Sequence, residues 1–351
     1  MHRYRRPCLL SLAIVPTSLC LLLLILAFVL PSASRAEQAA AAASQPAQPV
    51  LWRFAWVSDM HMNAQKLPYL TRAMRYIDAK LQPHFVMITG DNNYNPAPPA
   101  DPKKPESLGL RRQRFFKQFL QNHLKTPYVV IPGDDWPQDF DKVFGPKQYS
   151  FNCGGIHFLL LAPDRIYHGR NLEGLSVFEK PTWDWIRRDL KRNRERPTIV
   201  VIHEPIHPPT FLDAHSLRKL LAEYPNVFAV LQGHLHVNLE YHADGKTYLV
   251  APSLAEPPTP GMKLVEITPA GLVVRTILYN KVKNKFEMQD RLQCIEIPPA
   301  LRSRLTKPRK SGFVPAEYDS LPARPVVVDP ALEKRKGELL KNALLFFQPA
   351  K

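Results

Sequence analysis

Five short stretches of the chain carry hard, metal-compatible side chains, four of them as motifs. They are Asp59-x-His61, Gly90-Asp91, Gly133-Asp134-Asp135-Trp136, a lone His203, and Gly233-His234-Leu235-His236. Carboxylate oxygen and imidazole nitrogen together suit borderline divalent ions such as zinc, manganese and iron. In Asp-x-His and His-x-His one spacer residue lets both side chains point the same way along an extended backbone. The glycines allow a tight turn that lifts the next residue out of its strand. Two such ions about 3.5–4 Å apart can hold a hydroxide between them and clamp an in-line displacement at phosphorus. Taken singly, each stretch has an ordinary reading as a helix cap, a surface pair or two unrelated histidines. Their succession along one chain is what points to chemistry.

The elements between them explain how they can meet. Short apolar runs at 52–57, 85–89, 128–131, 149–151, 156–161, 198–202 and 227–231 read as strands, the pair at 149–151 and 156–161 turning around Gly154-Gly155. Residues 67–81, 110–124, 181–194 and 214–224 have the apolar spacing of helices, the third opened by Pro181. Strands at 239–242, 246–250, 263–267 and 272–278 follow with no helices between them. Alternation followed by a meander predicts an α/β fold, with one mixed sheet or two, clad by helices. Every ligand stretch falls just after a strand. Functional loops of such sheets gather at the carboxyl edge of the strands, so these five can converge in one crevice.

The motif order resembles that of the calcineurin-like metallophosphoesterases: Asp-x-His, Gly-Asp, Gly-Asn-His-Asp/Glu, a lone His, then Gly-His-x-His. The likeness covers about residues 51–280 and includes the 149–161 stretch, the Trp183/Trp185 helix and 245–252. It implies an α/β/β/α sandwich of two mixed sheets flanked by helices, acting on a phosphomonoester or phosphodiester with two divalent ions (Mn, Fe or Zn). Carried over by position, one ion takes Asp59, His61, Asp91 and His236. The other takes Asp91, Asp134, His203 and His234, with Asp91 bridging. The third motif departs from the family: Asp134 and Asp135 stand where Asn and His are usual. Asp134 still offers an oxygen, but it adds negative charge beside an incoming phosphate. Asp135 replaces a histidine that assists phosphate or the leaving group, and an ordinary carboxyl is a poor acid at neutral pH. His207, four residues after His203, is the candidate substitute; its alternative reading is a loop histidine beside Pro208-Pro209. The run Gly90-Asp91-Asn92-Asn93-Tyr94 also resembles the purple acid phosphatases, in which that Tyr ligates ferric iron. There the residue at the His61 position is not His, so Tyr94 reads as a ligand or as a packed ring. Glu204 is a candidate to orient a ligand histidine, Asn92 to touch phosphate, and Arg111, Arg112 and Arg114 to steer anions or to form a solvated helix face.

The composition constrains the remainder. The chain has 351 residues, is 45% hydrophobic and carries a formal charge of +16. That apolar fraction excludes wholesale disorder, and four cysteines exclude a disulfide scaffold. The charge divides into +4 over 1–36, +5 over 37–280 and +7 over 281–351, so it says little for nucleic-acid binding by the core, and no nucleic-acid partner is expected. Arg3, Arg5 and Arg6 before an apolar run at 9–30, followed by Ser34-Arg35-Ala36, form a secretory signal layout. The run is also long enough to span a bilayer, so 1–36 is a cleaved export signal or a membrane anchor, and the mature chain is periplasmic or secreted. Residues 37–50 form an Ala/Gln/Pro-rich linker and 51–280 the catalytic-type domain. A basic, Pro-rich extension, 281–351, ends in an amphipathic helix over 330–347 that docks locally or meets a partner or membrane surface. Outside the signal only Cys153 and Cys294 remain, as one disulfide or two free thiols.

Overall fold

A computed structural model describes residues 49–95, 97–99, 106–169, 172–308 and 316–328. The expected signal or anchor segment, nearly all of the linker, most of the Pro-rich loop 96–105 and the terminal amphipathic helix lie outside the described residues. Among the described residues no helix is long and apolar enough to cross a membrane.

Two large mixed sheets form the centre. The first takes β1 (Trp52–Val57), β2 (Val86–Thr89), β3 (Tyr128–Ile131), β12 (Gly261–Ile267), β13 (Gly271–Asn280) and β14 (Lys285–Glu296), in the order β14-β13-β12-β1-β2-β3. The second takes β4 (Tyr149–Cys153), β5 (Ile156–Leu161), β8 (Thr198–Ile202), β9 (Val227–Gln232), β10 (Leu239–Ala243), β11 (Lys246–Val250) and β15 (Ala316–Ser320), in the order β10-β11-β9-β8-β5-β4-β15. A small third sheet joins β6 (Arg165–Gly169), β7 (Leu172–Val177) and β16 (Val327–Val328). Strands β1, β2 and β3 run parallel, as do β5, β8, β9 and β11.

Period-two alternation sorts the side chains into layers. Trp52, Phe54 and Trp56 of β1 face the second sheet and pack with Phe85, Phe151 and Phe158, all buried. Ala55 and Val57 point the other way, toward helix α1 (Leu67–Tyr76) and helix α2 (Leu108–His123). Leu159, Leu161, Val200 and Ile202 pack against helix α4 (Lys180–Arg192) and helix α5 (Ala214–Ala222). A short helix α3 (Phe140–Phe144) lies between β3 and β4. The architecture is therefore the expected four-layer α/β/β/α sandwich.

Several boundaries differ from the sequence expectation for local reasons. Helix α2 begins two residues early because the Ser107 hydroxyl accepts from the Leu110 amide and caps it. The expected helix 67–81 ends as an α-helix at Tyr76 and continues as a π-helical turn over Ile77–Leu81. The boundary expected at residue 280 falls inside a hairpin. Strand β14 pairs with β13 from Gly271↔Glu296 to Asn280↔Lys285, and β15 pairs with β4, so part of the expected extension completes both sheets. Basic residues on β14 face outward while Phe286, Gln293 and Ile295 are buried, which made the strand read as tail. Cys153 is buried, Cys294 exposed, and both are free thiols, so the disulfide alternative is not what the fold adopts. Burial pushes the Cys153 thiol up to about 12.

Candidate metal centre

The loops after β1, β2, β3, β8 and β9 meet at one edge of the sandwich, three coming from the first sheet and two from the second. Backbone hydrogen bonds stitch them together. The Asp59 amide donates to the Gly90 carbonyl (3.0 Å), His61 to Asp91 (2.9 Å) and Gly233 to His203 (2.9 Å). Two loop glycines leave no room for a side chain. A Cβ on Gly133 would lie 1.8 Å from Asp91 Oδ1, and one on Gly233 would lie 2.2 Å from Ser58 Oγ. Five expected ligands adopt left-handed backbone: Asp59 (φ 54°), His61 (37°), Asp91 (51°), His234 (68°) and His236 (58°). A non-glycine residue there costs about 1–3 kcal/mol and persists only where its surroundings impose it.

These turns bring all seven expected metal residues together. Asp91, Asp134, His203 and His234 offer ligand atoms within 4.8 Å of one another, and so do Asp59, His61 and His236. The first group is the complete set expected for one ion, and the second is the set for the other without its shared Asp91. A third grouping, His61, Asp91 and Asp135, joins the two. His203 Nε2 lies 3.1 Å from Asp91 Oδ2, 3.1 Å from Asp134 Oδ1 and 3.8 Å from Asp59 Oδ1. His234 Nδ1 is 3.1 Å from Asp134 Oδ1, and His236 Nε2 is 3.2 Å from Asp59 Oδ1.

Two details test the fit to a metal. His203 Nδ1 lies 2.6 Å from the Thr89 carbonyl, which can only accept, so Nδ1 carries the proton and Nε2 turns its lone pair inward. That Nε2 is buried and has no well-directed hydrogen bond, although carboxylates crowd around it. His61 and His236 bring Nε2 to Nε2 at 3.0 Å, a contact in which either ring can donate to the other. A buried imidazole lone pair facing carboxylate oxygens fits a shared cation, and the nitrogen and oxygen donors suit Zn, Mn or Fe.

Charge compensation follows the same geometry. Burial alone would raise the Asp59 carboxyl, but His203, His236 and His61 outweigh it and hold Asp59 far below the usual carboxylate range. Burial would lower His61, but Asp135 and Asp59 push it up to about 10. Glu204 is buried and raised to about 8, by desolvation first and Asp134 second. Its carboxylate accepts from Ser176 Oγ (2.7 Å), so its hydrogen bond is not with a ligand histidine.

The other candidates fall in different places. Asp135 is 40% exposed, with Oδ2 3.3 Å from His61 Nδ1, and its amide donates to Asp91 Oδ1 (3.0 Å). Its side chain therefore meets a ligand imidazole. His207 packs edge-on against Tyr241 and Tyr248, and its Nδ1 lies 3.2 Å from Arg218 Nη1. Its backbone is held by Gln232, and no hydrogen bond or ion pair joins its ring to the seven ligands among the described residues. The Tyr94 ring stacks obliquely on Phe115, centroids 4.0 Å apart, which is the packed-ring reading. Asn92 Oδ1 is buried without a partner beside Asp91. Sequence reasoning missed Thr89, whose carbonyl sets the His203 tautomer. It also missed Asn93, whose Nδ2 donates to the Asp135 (3.0 Å) and Trp136 (2.8 Å) carbonyls. The Asn-Asn pair after Asp91 was the available signal for the second.

A family profile described as calcineurin-like phosphoesterase matches residues 53–238. The chain is 35% identical over 146 residues to the 3',5'-cyclic adenosine monophosphate phosphodiesterase CpdA of Escherichia coli (strain K12), covering 37% of this chain and 50% of that protein. It thus spans about half the length of that relative. The 3',5'-cyclic-nucleotide phosphodiesterase alr5338 of Nostoc sp. (strain PCC 7120) is 24% identical over 228 residues, 57% of this chain and 77% of that one. Among solved structures, a dimetal phosphatase from Danio rerio superposes with a TM-score of 0.52 at 12% identity. That superposition covers 71% of this chain and 100% of that one, a likeness of fold.

Proposed function

The chain belongs to the calcineurin-like phosphoesterase family, and on that premise we propose that it is an exported, dinuclear-metal-dependent hydrolase of phosphate diesters. The observation that carries this reading is the convergence of seven Asp and His side chains, with the buried His203 Nε2 facing three of the carboxylates. Asp91, Asp134, His203 and His234 would hold one ion, and Asp59, His61 and His236, with Asp91 shared, the other. Two divalent ions supply an activated nucleophile at neutral pH and positive charge opposite the phosphoryl oxygens.

The protein's own part is preorganisation. Thr89 holds the His203 tautomer, Asp135 aligns the His61 ring, and the Asp135 amide steadies Asp91. Phosphodiesters come first because the relatives in E. coli and Nostoc are named cyclic-nucleotide phosphodiesterases. Export rests on the layout of 1–36.

The test is hydrolysis of bis(4-nitrophenyl) phosphate, 4-nitrophenyl phosphate and 3',5'-cyclic nucleotides by the purified chain, with metal analysis. Turnover should stop with chelator, return with manganese, and fall at least about 100-fold in His234→Ala. Turnover indifferent to chelator and to that substitution refutes the reading. A second reading, a catalytically weak or inactive envelope relative that binds metal or a phosphorylated ligand, is favoured by the two carboxylates Asp134 and Asp135 in the third loop. Ordinary rates on any of these esters exclude it.

A further inference from the structure

Helix α2 carries Arg111, Arg112 and Arg114 near its start. Two of them are committed to the chain. Arg111 donates to the Pro98 carbonyl (2.7 Å) and the Glu106 carbonyl (2.7 Å), and Arg114 pairs with the Glu106 carboxylate. Arg112 is placed differently. Its guanidinium lies over the Trp136 ring, 4.3 Å from the centroid. Its one hydrogen bond among the described residues is a long one, 3.4 Å from Nη2 to Asn95 Oδ1, and its Nε is buried without a partner. No described carboxylate lies within ion-pair distance of it.

The platform under it is tied to the metal centre. The Trp136 carbonyl accepts from Asn93 Nδ2 (2.8 Å) and Gln113 Nε2 (3.3 Å). The preceding residue, Asp135, donates its amide to Asp91 and sets its carboxylate at His61. Burial and Arg111 push the Arg112 pKa down, and only the Asp135 charge opposes them. A half-buried guanidinium without a carboxylate is costly unless an anion completes it. This one stands beside the loop that carries the carboxylates Asp134 and Asp135.

We infer that Arg112, braced on Trp136, is a second anion-recognition point of the site and takes a phosphoryl or leaving-group oxygen of the phosphate ester. The planar fork of arginine suits two oxygens of one phosphate, and stacking on an indole fixes its orientation in advance. Its charge also offsets Asp135, which would otherwise repel the substrate. The inference rests on the proposed phosphoesterase reading.

The experiment is calorimetric titration of inorganic phosphate into the manganese-loaded full chain, wild type against Arg112→Gln and Arg112→Lys. Metal content and thermal unfolding are measured in parallel. Arg112→Gln should weaken phosphate binding about 10- to 100-fold, the loss of a charge-assisted pair. Arg112→Lys should fall between the two, and metal content should not change in either. Phosphate affinity within twofold of wild type in Arg112→Gln overturns the inference, as does weakening that appears only with lost metal while Arg112→Lys binds like wild type. Because binding is read without turnover, the two claims separate. Arg112-dependent phosphate binding in a chain that hydrolyses no ester sinks the catalytic reading alone. Brisk hydrolysis with unchanged phosphate affinity in the variants sinks this one alone.

Discussion

A single methyl group offers the sharpest test of the site's geometry. In Gly133→Ala the new Cβ would stand 1.8 Å from Asp91 Oδ1 and 2.5 Å from the Asp91 backbone nitrogen. Neither neighbour is the free end of a flexible chain. Asp91 is buried, its backbone is left-handed, and its Oδ1 accepts from the Asp135 amide at 3.0 Å. Relief therefore requires the third loop or the Asp91 carboxylate to move by about 1 Å, enough in a catalytic site to cost about 100-fold in rate. Overpacking costs about 1–3 kcal/mol and a lost hydrogen bond to a charged group about 1.5–3 kcal/mol, so stability should fall by about 2.5–6 kcal/mol. Because Asp91 is assigned to both ions, metal affinity should fall at both positions. The assay is thermal unfolding with and without manganese, metal stoichiometry by mass spectrometry, and diester hydrolysis. Gly133→Ala should melt earlier, gain less from added manganese than wild type, and hydrolyse about 100-fold more slowly. A variant that binds two equivalents of metal and melts like wild type would mean that Asp91 and the third loop are not packed as described.

Two further outcomes separate the site from the scaffold. Asp135→Asn removes the charge that faces His61 Nδ1 (3.3 Å) while leaving the backbone donor to Asp91. Metal affinity should drop about 10- to 100-fold, as for other groups that orient a ligand histidine, with unfolding of the metal-free protein unchanged; equal metal affinity refutes that role. Far from the centre, buried His157 donates from Nε2 to Asp189 Oδ1 (2.7 Å), and Ser150 donates to Asp189 Oδ2 (2.7 Å). Asp189→Ala should cost about 3–5 kcal/mol of stability by leaving these groups uncompensated, while metal content stays constant. Burial would raise Asp189, but the hydrogen bond and charge of His157 with Ser150 and Arg192 hold it below its ordinary value. Its contribution is then complete above about pH 4 and is lost as pH falls through that lower value, so the variant's acid-side stability curve should be flatter than wild type. A steeper curve, or one parallel to wild type, contradicts the assignment.

The residues themselves determined the chemistry and its order along the chain. Strand periodicity is local, and a glycine followed by Asp or His at a strand end is legible without a partner, so Asp59, His61, Asp91, Asp134, His203, His234 and His236 could be named in advance. Alternation followed by a meander left one mixed sheet or two open, and the two-sheet sandwich came from the family resemblance. What only the tertiary structure decided depends on contacts between residues far apart in sequence. The Thr89 carbonyl reaches His203 across 114 positions and sets its tautomer. Tyr94 turns to Phe115, and His207 turns to Arg218 and two tyrosines, because packing on a neighbouring element outweighs the local motif. Strand β14 looks like a basic tail until β13 supplies its hydrogen bonds and buries alternate side chains. Pairing and burial are properties of the partner as much as of the strand, so no local reading of 281–296 could contain them. Arg112 shows the same division. As sequence it is one of three arginines on a helix, and only the fold sets it on Trp136, next to Asp135 in the third loop.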